Sequence, residues 1–187
     1  MKMKKFFVVL LAVAISLFVV ACGGVSIKES SETTNKNEFS VVGINTIQEV
    51  CEYYLKGIEV KTRIEPSTIN GVSSYYDVQT EGNTYIDIIL DVKNLNNEAT
   101  MTTDLITAKI KINSNEYKCF SVAESDDGSD LEKSASIKPL ETTVIHYLAE
   151  VPLEEANGEI EVILTVNGKD FSNKFNLENI NSTSPSV

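Results

Sequence analysis

The chain has 187 residues, with 27 acidic side chains against 16 basic ones, a single histidine and a net charge of −11. So acidic a chain lacks the basic footprint that nucleic-acid binding requires, and with no tryptophan it lacks the strongest side chain for stacking sugars. The length fits one domain, large enough to bury a core without staples.

Lys2, Lys4 and Lys5 precede an apolar run from Phe6 to Val20, interrupted only by Ser16 and followed by Ala21-Cys22-Gly23-Gly24. A run of about 15 residues falls short of the roughly 20 that span a bilayer. The positive flank holds the N-terminus on the cytoplasmic side. The pattern resembles the lipobox of bacterial lipoproteins, where the cysteine is lipidated and the chain is cut just before it. It implies a signal peptide over 1–21, lipidation at Cys22, and residence on the extracytoplasmic face of the cell membrane. A short uncleaved anchor and a signal cut at another small residue are the alternatives. One acyl chain holds a protein only marginally; the diacylglycerol implied at Cys22 would supply two. Cleavage removes 21 residues and three lysines, leaving 166 residues with 13 basic and 27 acidic side chains, a net charge of −14. Anionic lipid would repel that surface, so the anchor must do the holding.

After Cys22, residues 23–38 read GGVSIKESSETTNKNE, a polar stretch with little to bury and the composition of a disordered tether. Fully extended, its 16 residues would reach roughly 50 Å. The domain proper is expected over 39–178, and 179–187 (NINSTSPSV) as a flexible tail.

Thr46 to Val50 reads as one helical turn. Cys51, Tyr53 and Leu55 share one phase of an alternating pattern and Ile58 and Val60 the other, which places a β-bulge or kink at Gly57. Between Pro66 and Gly82 the pattern is weak; Tyr75 to Gln79 reads as a short strand and Glu81-Gly82 as its turn. Ile86, Ile88, Leu90 and Val92 then point one way, Asp87, Asp91 and Lys93 the other. Ile106, Ala108, Ile110 and Ile112 repeat this against Thr107, Lys109 and Lys111, as do Ile160, Val162, Leu164 and Val166 against Glu159, Glu161 and Thr165. Phe171 and Phe175 alternate with Asp170, Ser172 and Lys174. Turns are expected at 94–98, 113–116 and 126–130, strand ends at Pro139 and Pro152, and a tight hairpin at Asn167-Gly168. A period of two over seven to nine segments with polar turns predicts an all-β chain, an antiparallel β-sandwich.

The stretch from Gly82 to Asn94 (GNTYIDIILDVKN), the turn Ile137-Lys138-Pro139-Leu140-Glu141 and the strand end Ala149-Glu150-Val151-Pro152 resemble recurring motifs of an uncharacterised lipoprotein family of Gram-positive bacteria. The resemblance covers roughly Tyr54 to Phe175. It implies an immunoglobulin-like sandwich similar to a secreted mycobacterial antigen, and it carries no catalytic residues. Leu140 stands where that family more often has glycine.

Candidate chemistry is sparse. Cys51 and Cys119 could form one disulfide closing a long loop, worth about 4 kcal/mol in the chain-entropy model, or remain two unpaired thiols. His146 lies in a strand with no nucleophile-elbow motif in the chain, and reads as a partly exposed strand residue rather than a base. Glu124, Asp126, Asp127, Asp130 and Glu132 cluster in one loop but lack the register of a calcium-binding loop. Tyr53, Tyr54, Tyr75, Tyr76 and Tyr85 either cap the sandwich or, at Tyr75 and Tyr76, offer a partner surface. The sequence therefore points to no enzyme and no cofactor. It points to a lipid-anchored interaction module for an envelope or extracellular protein, with an accessory binder of a small ligand or cation through 124–132 as the alternative.

Overall fold

A computed structural model describes residues 37–69 and 71–178. The expected signal peptide over 1–21, Cys22, the expected tether up to residue 36 and the expected tail from 179 lie outside the described residues. The strands are β1 Asn45–Ile47, β2 Cys51–Lys61, β3 Arg63–Ile64, β4 Tyr76–Asp77, β5 Asn83–Asn94, β6 Thr100–Met101 and β7 Ile106–Ile112. They continue with β8 Asn115–Lys118, β9 Phe120–Glu124, β10 Leu131–Glu132, β11 Ser136–Ile137, β12 Thr142–Pro152, β13 Glu159–Val166 and β14 Lys169–Asn176. Among the described residues nine strands have three or more residues, the upper end of the expected seven to nine, and the other five have two residues each.

Of the two large sheets one runs β1-β2-β5-β12-β9-β10 and the other β14-β13-β7-β8, and β11-β6 and β3-β4 form two-stranded sheets. All their pairings are antiparallel. The alternating residues read from the sequence form the inner faces. Ile86, Ile88, Leu90 and Val92 of β5 share one buried cluster with Ile110 and Ile112 of β7 and with Ile160, Val162 and Leu164 of β13. Each such side chain removed from water contributes about 1.5–3 kcal/mol. Tyr147 of β12 is buried within this core, and its hydroxyl reaches across to the Ile106 carbonyl at 3.3 Å. The fold is the β-sandwich that the period of two predicted.

The local signals hold where backbone chemistry is strict. The register of β2 on β5 shifts between Leu55 and Gly57, which is the expected bulge, with Lys56 as the extra residue. Asn167 and Gly168 both have positive φ, 49° and 71°, closing the hairpin between β13 and β14. Thr46 to Val50 is not helical. Asn45–Ile47 pairs with β2, and a turn follows in which the Val50 amide donates to the Ile47 carbonyl at 3.0 Å and Glu49 takes a φ of 61°. Pairing with the long neighbouring strand outweighs a weak local helix propensity. The chain already contacts the sandwich at Asn37, whose carbonyl accepts the Ser172 amide at 2.8 Å. Cys51 is buried and Cys119 half-buried, both as free thiols rather than a bridge. Burial pushes the Cys51 thiol up to about 12 and raises that of Cys119 as well.

Leu140 occupies the left-handed region at φ 64° with its side chain 68% exposed. An L-residue there is disfavoured by about 1–2 kcal/mol, and this leucine recovers little by burial. Leu140→Gly is therefore expected to stabilise the protein by roughly 0.5–1 kcal/mol after the glycine's extra unfolded-state entropy is subtracted. Urea unfolding should show a higher midpoint with an unchanged slope.

Candidate functional site

The outer face of the six-stranded sheet is covered by a strap, residues 63–79. Its Ile64 packs with Tyr85, Val122, Leu131 and Leu148 in a second buried cluster, flanked by Tyr76 and Val78. The strap is tied down along its length. The Thr68 amide donates to the Gly128 carbonyl at 2.8 Å, and the Ser74 amide to Asp130 Oδ1 at 2.8 Å. The Gln79 amide donates to Glu150 at 3.1 Å, and the Tyr85 hydroxyl to the Asp77 carbonyl at 3.0 Å.

Beside this cluster lie three ionisable side chains from three strands. His146 of β12 faces Ile89 of β5 on one side and Val122 of β9 on the other. Asp87 lies two residues before Ile89 and Glu124 two residues after Val122, so each shares an outer face with His146 on a diagonal. Diagonal neighbours in a sheet are about 7–8 Å apart, within reach of long side chains. The imidazole Nδ1 sits 2.7 Å from Asp87 Oδ2, and Nε2 sits 3.2 Å from Glu124 Oε1. Asp87, His146 and Glu124 are only 1%, 6% and 9% exposed.

Two hydrogen bonds need two hydrogens. A neutral imidazole carries one, and its bare nitrogen would face a carboxylate lone pair. With both carboxylates ionised, the arrangement calls for an imidazolium donating from both nitrogens. Burial is the largest single influence on His146 and opposes its charge. The hydrogen bonds and negative charges of Asp87 and Glu124 together outweigh it and hold the ring above its ordinary value. Burial raises Asp87 as well, with His146 only partly offsetting it. Among the described residues Asp87 Oδ1 has no hydrogen-bond partner, so its contact with His146 is what compensates this buried carboxylate.

Glu124 is the link to the strap. Its Oε1 accepts the Ser67 amide at 3.1 Å and its Oε2 the Ser67 hydroxyl at 2.7 Å. Gly128 makes the approach possible. It has φ 68°, and a Cβ there would stand 2.7 Å from Ser67 Oγ. Next to His146 a groove of about 530 Å³ opens, lined by Gly57, Pro66, Val144 and the stems of Lys56 and Lys61 among others.

The remaining candidates fall elsewhere. Asp127 accepts the Ser125 and Ser129 hydroxyls at 2.9 and 2.6 Å, and Asp130 accepts the Ser74 and Leu131 amides. Hydrogen bonds from Ser129 and Ser125, and from Ser74, hold these two carboxyls below the usual range. Tyr53 is buried in the core, and Tyr85 belongs to the cluster under the strap. Tyr76 is half-buried, with its ring centre 5.9 Å from that of Phe120. Tyr75 is 54% exposed, with the Arg63 guanidinium 4.2 Å from its ring centre. Tyr54 faces outward at 39% exposure.

His146 is not the partly exposed strand residue that the sequence reading expected, and Asp87, assigned to the wet face, is buried. A signal for both was present. Val144 to Ala149 (VIHYLA) is apolar on both phases, Ile89 breaks the alternation of β5, and Val122-Ala123 does the same in β9. Near-continuous apolar runs mark strands covered on both faces.

No family profile and no curated protein matches the chain. Among solved structures it is similar to an uncharacterised β-sandwich protein from Clostridium difficile 630, with a TM-score of 0.66 and 22% identity over 75% of this chain and 95% of that one. This likeness agrees with the fold derived above. A β-glucosidase involved in saponin metabolism from intestinal bacteria aligns at a TM-score of 0.30 and 12% identity, over 65% of this chain and 16% of that one. So slight a likeness bears on neither fold nor activity.

Proposed function

We propose that the protein is a non-enzymatic interaction module of the cell surface, lipid-anchored through Cys22, which engages an envelope or extracellular protein with the crest of its strap. The observation that carries this reading is the exposure of Ile69, Val72 and Tyr75, at 63%, 102% and 54%, on a segment otherwise fastened to the sheet at both ends. Apolar and aromatic side chains held out on a preorganised segment suit a protein interface, because little ordering entropy is lost on binding. The lipobox-like sequence at Ala21-Cys22 and the resemblance to lipoproteins with immunoglobulin-like domains support the location and the family. The alternative, a small ligand or cation held by 124–132, has less support. Glu124, Asp127 and Asp130 are already engaged by groups of the protein itself, and no group of three or more His, Cys, Asp or Glu residues suited to a metal occurs among the described residues.

Tyr75→Ala is expected to weaken partner capture by about tenfold or more, as for an aromatic anchor worth about 2 kcal/mol. Unfolding should move by less than about 0.5 kcal/mol, because the ring is largely exposed. Tyr76→Ala, by contrast, should lower stability by removing packing against Phe120. Affinity capture from surface-labelled cells, with urea unfolding of each variant, checks both; unchanged capture by Tyr75→Ala would remove the proposed surface.

A further inference from the structure

We propose that Asp87, His146 and Glu124 form a proton-controlled latch: the doubly protonated imidazole holds Glu124 inward to clamp the strap at Ser67, and loss of one ring proton frees Glu124 and loosens the strap at that end. The geometry fixes which contact yields. Asp87 is the more deeply buried carboxylate, holds the shorter contact at 2.7 Å, and has its second oxygen unpartnered. It has nowhere to turn for compensation. Glu124 holds the longer contact at 3.2 Å, lines the groove beside His146, and ends a strand that leads into the loop 125–130, exposed at Asp126 and Asp127. A single remaining N–H therefore stays with Asp87, and the bare Nε2 faces Glu124. Glu124 relieves that repulsion by rotating toward the groove, which breaks its two bonds to Ser67. The departing proton reaches water through the same groove, which His146 lines.

Other charges nearby do not substitute for the imidazolium. From β2, Lys56 pairs with Asp91 at 3.5 Å and Lys61 with Glu59, the residue directly opposite Asp87. From the strap, Arg63 grips Asp77 through two bonds of 2.6 and 2.8 Å, and Glu65 adds a negative charge at the groove. The loop brings Asp126 and Asp127 near Glu124, again negative. Each cation has its own carboxylate, so deprotonation leaves an uncompensated pair of buried acids. The upward displacement of His146 noted above places the release on the alkaline side of the ordinary histidine range. The latch stands on its own; only its consequence for the presentation of Ile69, Val72 and Tyr75 rests on the partner surface proposed above.

Hydrogen exchange of the full chain in detergent, from pH 5 to pH 9 and corrected for the intrinsic pH dependence of exchange, tests it alongside an NMR titration of the His146 ring. The expected result is a fall in protection of the Ser67 and Thr68 amides through the His146 titration, by up to about tenfold per pH unit, the limit for one proton. Amides of β5 and β12 should keep their protection. In His146→Gln the strap should exchange without that pH dependence. Constant protection at Ser67 and Thr68 while His146 titrates would overturn the latch. So would a simultaneous loss across strap and core, which would be global unfolding rather than release. Because wild type alone decides these outcomes, an unfolded variant does not blunt the test. If Tyr75→Ala leaves capture unchanged while strap exchange follows the titration, the partner surface fails and the latch remains.

Discussion

Replacing His146 with alanine is expected to destabilise the protein by about 3–5 kcal/mol, the range for breaking a buried ion pair on one side only. The loss exceeds that of a simple cavity because two carboxylates remain. Asp87 is 1% exposed and bonded through one oxygen alone, and that bond is to His146. Glu124 lines the groove and can turn toward water, so the larger share of the penalty falls on Asp87. A second substitution separates charge from packing. His146→Leu should also destabilise, but adding Asp87→Leu to it should recover part of the loss, since a buried pair can be replaced by apolar groups at little net change. The pH dependence has a definite sign. The folded-state value of His146 lies above its unfolded one, so its contribution is fully present below about pH 6.5 and is lost as the pH rises through the folded value. Asp87, also raised on folding, acts in the same direction from about pH 4 upward. Wild-type stability should therefore decline above neutrality, and the His146→Leu/Asp87→Leu variant should lack that decline. Urea unfolding at a series of pH values reads both.

Tyr147→Ala should lower stability by a similar amount, about 3–5 kcal/mol, because a large aromatic side chain in a packed core leaves a cavity that its neighbours fill only in part. Tyr147 is 1% exposed and belongs to the same cluster as Ile106 and Cys51, so its ring joins the two sheets rather than covering one. Tyr147→Phe keeps the ring and removes only the 3.3 Å bond to the Ile106 carbonyl. That change should lower stability by about 1 kcal/mol, the net worth of one neutral hydrogen bond. A ratio near one between the two losses would mean that the hydroxyl, not the ring, joins the layers.

The sandwich was legible because its information is local and periodic. A residue two places along a strand shares a face whatever else the chain does, so β5, β7 and β13 could be assigned from Ile86, Ile106 and Ile160 onward. Asn167-Gly168 and Gly57 were legible for the same reason, since both report backbone geometry over two or three residues. The site was not legible, because it depends on what covers a face. Alternation puts Asp87 and His146 on the outer surface, and that assignment of faces is right. That face is covered by the strap, residues 63–79, most of which falls in the weakly patterned stretch between Pro66 and Gly82. Its docking is set by contacts 57 residues away, from Ser67 to Glu124, and 71 away, from Gln79 to Glu150. Glu124 neighbours Asp126 and Asp127 in sequence and in space, but it ends a strand and its side chain also reaches His146, a partner 22 residues away that sequence proximity does not reveal. The helical turn expected at Thr46 failed because a local propensity of a few tenths of a kcal/mol per residue yields to pairing with a neighbouring strand.

The proposed protein partner sits on the crest of the strap. A photo-reactive amino acid placed at Val72 of the whole chain, expressed and irradiated in cells, tests this. The same group at Lys169, exposed on the hairpin of the other sheet, serves as the reference. The expected result is one discrete, recurrent protein adduct from position 72, absent from position 169 and lost when Tyr75→Ala is introduced. Adducts of equal yield from both positions, or none from position 72 in cells that display the protein, would contradict it.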